Sequence, residues 1–262
     1  MSIGLQKANF WKRISAYILD CILAVILTTG FASIVSSMSG YDKQVNQLEI
    51  YKIEYANKYG IDEFDISEED FKELSIEMQE KYEAAHKEYA EDTRALKTQA
   101  TLFYLVIMII ALSLLLSTLV LYFIVPLLFK NGQTLGKKIF GLAVMRTHCV
   151  KLKPQILFVR SILGLYVMET MVPVFFVLMI LFGKLGLIGI VMLFLLLVLQ
   201  IGVMIYTKTN SSIHDLLSDT VVIEFASQQI FESDEELLAY KKAEHEKMVN
   251  DLREEHYSSR VE

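Results

Sequence analysis

Only three prolines, two cysteines and one tryptophan occur among the 262 residues, and each scarcity excludes something. Two thiols cannot supply the disulfide framework of a small secreted domain, and Cys21 and Cys149 stand far apart without metal-ligand spacing. No glycine or proline interrupts 61–125, so nothing in that stretch breaks a helix strongly. Acidic residues are missing from two basic segments: none precedes Asp20 near Lys7, Lys12 and Arg13, and none falls in 130–155 among Lys130, Lys137, Lys138, Arg146, Lys151 and Lys153. No nucleophile and base stand in an elbow-like context, since Ser211, Ser212 and Ser218 near His214 have no glycine framing. The sequence therefore predicts a protein that is not an enzyme, with no cofactor, metal or nucleic-acid partner.

What remains is strongly apolar. Hydrophobic residues make up 53% of the chain and the mean hydropathy is +0.40, too high for an ordinary soluble domain. Four stretches reach the roughly 20 residues needed to cross a bilayer core of about 30 Å: 14–35, 102–129, 162–182 and 185–206. The expected fold is an all-α polytopic membrane protein embedded in a lipid bilayer. A leader peptide is the rival reading of the N-terminus, but its apolar core would be about 7–15 residues long and would tolerate Asp20 poorly. Basic residues before the first span and in 130–155 place both on the cytoplasmic side of the cell membrane. The stretch 36–100, with eight basic against sixteen acidic residues, belongs outside. Four crossings return the C-terminus to the cytoplasm and leave Lys184 in a short external turn.

The organisation follows: 1–37 as N-terminal segment and first span, 38–100 as an external helical hairpin, 101–225 as spans two to four with the loop 130–155, and 226–262 as a charged helical tail. In the insertion, Val45, Leu48, Tyr51, Tyr55 and Tyr59 recur at helical steps up to Gly60, and Leu74, Met78, Tyr82, Ala85 and Tyr89 form a second stripe. Ser67 and Asp70 have capping-box spacing, and the second helix is expected to continue without a break into the second span. Ser233 opens a similar pattern for the tail.

Charges inside apolar segments are the candidate site. A carboxylate near a bilayer centre costs at least ~2.5–3.5 kcal/mol unless partnered, so Asp20 must find donors or water. Arg13 lies seven residues earlier, about 10 Å along a helix, and cannot reach it easily. Arg160 and the hydroxyls of Ser113 and Ser117 are the expected partners. Glu169 is expected at a depth comparable to Asp20, where two neighbouring carboxylates would share a proton or take a cation. Structural pairing of Asp20 with Arg160 is the plainer alternative.

The loop 131–146 is the most distinctive string. Gly132 and Gly136 are three residues apart, and Lys138 stands where a P-loop needs Ser or Thr, so phosphate-loop chemistry is excluded. Phe140, Leu142 and Val144 alternate as a strand, a second strand is expected near 150–153, and Thr220 to Phe225 favours another, together giving a small cytoplasmic β element. His214 and Asp215 are expected to tie the end of the fourth helix to this loop through Lys137.

Taken together, Phe10-Trp-Lys-Arg13 with Asp20, Gly132-Gln-Thr134-Leu-Gly136-Lys137 with Gly141, Arg160, and His214-Asp215 with Thr220 resemble the RDD family of bacterial membrane proteins. The resemblance implies that Arg13, Asp20 and Asp215 are the arginine and two aspartates of the family name, with Asp219 four residues beyond. It also implies transport of a small ligand, in its most concrete version exchange of a monovalent cation or protons. Four helices are few for alternating access, so a transporter would be a homo-oligomer. The alternative is a non-transporting assembly or regulatory subunit that docks partners through the hairpin and the tail.

Overall fold

The computed structural model describes residues 8–129, 131–183, 185–207, 210–227 and 229–258. Lys7, Lys130 and Lys184, used above for orientation, lie outside the described residues. The elements run α1 (Phe10–Ser39), α2 (Tyr41–Tyr59), α3 (Glu68–Glu73), α4 (Ile76–Glu91), α5 (Thr93–Phe129), α6 (Leu135–Ile139), β1 (Leu142–Arg146), α7 (Pro154–Leu181), α8 (Gly186–Tyr206), α9 (Ile213–Leu217), β2 (Thr220–Glu224) and α10 (Asp234–Ser258). Helices α1, α5, α7 and α8 are four candidate membrane spans.

Three spans begin earlier than hydropathy predicts, α5 at Thr93 and two with a local start signal. The Asn9 side chain accepts from the Trp11 N–H at 2.9 Å and starts α1 at Phe10, so Arg13 lies within the helix. Pro154, whose fixed φ suits a first helical turn, starts α7 and draws Arg160 inside it as well. Wide π-type winding occurs over Leu119–Ile124 in α5 and over Val159–Met171 in α7. Such winding is uncommon and tends to occur at functional sites.

The chain divides into two compact units. In one, built of residues up to Leu27 and from Leu115 on, β1 pairs antiparallel with β2 in the register Leu142↔Glu224, Val144↔Val222 and Arg146↔Thr220. Alternate residues face opposite ways along a strand, and here both faces are covered. Ala143, Met145, Val221 and Ile223 pack with Cys149, Val150, Phe231 and Leu237, while Leu142, Val144 and Val222 pack with Ala8 and Ala16. The tail is thereby fastened at its start, through Leu237 and the Tyr240 ring against Phe231. The strand expected at 150–153 is reduced to a single bridge, Val150 with Phe231, in which Lys151 donates its N–H to the Phe231 carbonyl, with no further pairing among the described residues.

The other unit, Thr28–Leu114, contains the hairpin. Helix α2 ends at Gly60, whose φ of 66° is the left-handed geometry glycine adopts cheaply. Tyr55, Phe64, Tyr82, Ala85 and Tyr89 form its core, so three of the tyrosines turn inward. The expected unbroken second helix is interrupted twice. The Ser75 hydroxyl accepts from the Met78 N–H, and the Asp92 carboxylate accepts from the Arg94 N–H at 2.8 Å. Serine and aspartate side chains compete for backbone groups in this way and favour helix starts.

Candidate functional site

On α1 the residues Arg13, Ala16, Tyr17 and Asp20 follow helical spacing and share a face. Asp20 is 1% exposed. Its Oδ1 accepts from the backbone N–H of Gly136 at 2.8 Å, its Oδ2 from the Thr134 hydroxyl, and the Lys137 ammonium lies 3.9 Å from Oδ2. Thr134 also caps α6 by accepting from the Lys137 N–H. This contact depends on Gly136: a Cβ there would stand 2.3 Å from the Ala16 carbonyl oxygen and 2.9 Å from Asp20 Oδ1. The acid is therefore held by the loop after α5, and the expected Asp20–Arg160 pair does not form.

Arg160 instead reaches α9. Its Nη2 donates to Asp215 Oδ1, and Arg13 Nη2 donates to Asp215 Oδ2 at 3.3 Å. Ser212 adds its backbone N–H at 3.2 Å and its hydroxyl at 2.9 Å to Oδ2. Asp215 is wholly buried. Burial pushes its carboxyl up, yet the charges of Arg160, His214 and Arg13, with the Ser212 hydrogen bond, hold it well below the usual range.

Beside this pair, Glu169 accepts from the His214 backbone N–H at 2.7 Å and lies 2.9 Å from ring Nδ1. Ring Nε2 lies 3.2 Å from Arg160 Nη2. Glu169 is thus taken by α9, and the expected carboxylate pair with Asp20 is not assembled. Among the described residues His214 and Asp215 make no hydrogen bond to Lys137; their direct partners lie on α1 and α7. A glycine again permits the approach, since a Cβ at Gly164 would lie 2.7 Å from His214 Cα.

The remaining predicted residues have smaller parts. Ser117 donates to the Ala24 carbonyl at 3.1 Å, bracing α5 against α1. Ser113 belongs to the hairpin unit, where its buried hydroxyl has no hydrogen-bond partner among the described residues. Thr220 donates to the Asp215 carbonyl at 3.3 Å. Gly132 and Gly141 take φ of 61° and 65° on either side of α6. Two contributors went unnoticed at the sequence level. Ser212 was legible as Ser-x-x-Asp capping spacing, whereas Gly164 carried no signal beyond its size.

Arg13, Lys137, Arg160, Glu169, His214 and Asp215 line one cavity of about 280 Å³. A smaller one of about 40 Å³ lies against Asp20, Tyr122 and Thr134. Burial, followed by the charge of Arg160, lowers the Lys137 ammonium to about 8, against the opposing pull of Asp20 and Asp215.

Four candidate spans around a buried network of arginines and carboxylates define a multi-pass membrane protein with a charged interior. The chain belongs to the RDD family, whose profile matches residues 7–219. Neither the curated proteins nor the solved structures provide a match. The match ends short of β2 and the tail.

Proposed function

We propose that the protein is a transporter that moves a small ligand across the cell membrane in exchange for protons, with both termini cytoplasmic. One observation carries this reading: a network of ionisable groups, buried among helices of spanning length, lines a cavity. Intramembrane charges are costly and accordingly mark ligand or proton paths. The proton is favoured over a metal cation because Asp20, Glu169 and Asp215 already accept hydrogen bonds from protein donors. The Glu169–His214 contact offers an adjacent donor–acceptor pair, and Lys137 titrates near physiological pH. Binding and release would occur in a homo-oligomer, and no chemical conversion is involved.

Proteoliposomes carrying a pH-sensitive dye test this. Proton movement driven by a monovalent-cation or ligand gradient is expected for the wild type and is abolished by Glu169→Gln and by Asp20→Asn. Wild-type flux in both variants overturns the proton route.

The second reading, a docking subunit, is supported by the separate aromatic core of the hairpin and by exposed Leu238 and Leu252 on the tail. It predicts a stoichiometric partner in pull-downs, lost when 41–98 is deleted.

A further inference from the structure

The carboxylates lining the larger cavity are engaged by protein donors, whereas two of its cations are not fully used. Asp215 is shared by two arginines and Ser212, and Glu169 is engaged by His214. Against them, Arg160 Nε is buried without a hydrogen-bond partner among the described residues. Among the described residues the Lys137 ammonium has only long contacts, 3.5 Å to the Thr134 hydroxyl and 3.9 Å to Asp20. A buried donor left unpaired costs roughly 1–3 kcal/mol, more when charged, so an added acceptor bearing negative charge is favoured there.

The rest of the lining narrows its chemistry. Tyr17 of α1 and Ile201 and Met204 of α8 contribute an apolar wall. Tyr17 is 61% and Ile201 46% exposed, so this wall continues onto the surface that spanning helices turn toward hydrocarbon. Arg13 is the fourth residue of α1 and lies about 5 Å along the axis from its start, which is headgroup depth. A volume of about 280 Å³ exceeds what one inorganic ion fills, at about 30 Å³ per water-sized occupant.

We propose that this cavity binds an amphiphile with an anionic phosphate head, the phosphate seated on Lys137 and Arg160 and the hydrocarbon against Tyr17, Ile201 and Met204. The inference rests on the proposed function only in using the same charged cluster. It is tested by binding without flux, so the two fail separately.

The full chain, purified in a neutral detergent, is titrated with dioleoyl phosphatidic acid, with dioleoyl phosphatidylcholine and with inorganic phosphate. Thermal unfolding and native mass spectrometry are the readouts. Phosphatidic acid is expected to raise the midpoint and leave a one-to-one adduct, and the other two are not. Equal responses to both lipids overturn the anionic head, and an equal response to inorganic phosphate overturns the amphiphile. Lys137→Gln is expected to weaken phosphatidic acid about tenfold, the loss of one charge-assisted hydrogen bond. Met204→Trp, which leaves every ionic contact in place, is expected to weaken it by crowding the apolar wall. Unchanged affinity in both variants overturns the site.

Discussion

Asp215 joins three elements through one carboxylate: α1 by Arg13, α7 by Arg160, and the start of α9 by Ser212. Neutralising it removes a counter-ion from the buried Arg160 and from the partly buried Arg13. Removing one member of such a group costs about 3–5 kcal/mol. Asp215→Asn is therefore expected to lower the unfolding midpoint in detergent far more than Asp219→Asn, whose carboxylate is half exposed. Lys137 gives a pH signature. The unfolded chain keeps this proton up to about 10.5, whereas the folded chain releases it near 8. Between those values the unfolded state binds more protons, so stability rises with pH across that window. Lys137→Gln flattens that rise, as denaturation at pH 8 and pH 10 would show. At this scale the charged letters were legible, because a carboxylate in an apolar run stands out. Their partners were not: Asp20 is satisfied chiefly by a threonine and a backbone N–H, groups present everywhere in a sequence and distinguished only by position.

Among the elements, the close approach of the two short helices α9 and α6 is set by two glycines. The short helix α9 reaches α7 only because Gly164 leaves room for His214, and α6 reaches α1 only because Gly136 does so beside Ala16. Gly164→Ala must displace backbone rather than a flexible side-chain end. It is expected to destabilise the protein by roughly 1–3 kcal/mol and to weaken the Glu169–His214 contact. A lowered unfolding midpoint, with a changed His214 ring resonance, checks this. The four spans were legible because twenty apolar residues in succession have few alternatives. Their starts were not, since capping by Asn9 and a first-turn proline outrank hydropathy at a boundary. The two-stranded sheet followed from alternation and β-branched residues. The breaks at Ser75 and Asp92 were hidden because serine and aspartate are also ordinary residues of an exposed helix face.

At the scale of the molecule, crossing by all four candidate spans would leave 131–153 and the tail on one side of the bilayer and the hairpin on the other. Single cysteines replacing Lys138, Lys242 or Glu83, in a background with Cys21→Ser and Cys149→Ser, test this with an impermeant maleimide on intact vesicles. The first two are expected to react from the same side and the third from the opposite one. A shared side for all three contradicts the four crossings. The hairpin and the tail carry their own packing, the aromatic core in one and the Phe231–Leu237 cluster in the other. Helical periodicity revealed both in the sequence, but it could not reveal which faces they turn to their neighbours.

Arg13 and Asp215 are 202 residues apart. During biosynthesis the guanidinium leaves the ribosome long before its counter-ion exists, and the first helix waits in lipid with its polar face unmatched. Because β2 follows Asp215 directly and pairs with β1, the last stretch translated before the tail is also the latch that closes the interior. A chain arrested before Thr220 would carry every membrane segment and still lack a settled core, making it the species that quality-control proteases should recognise.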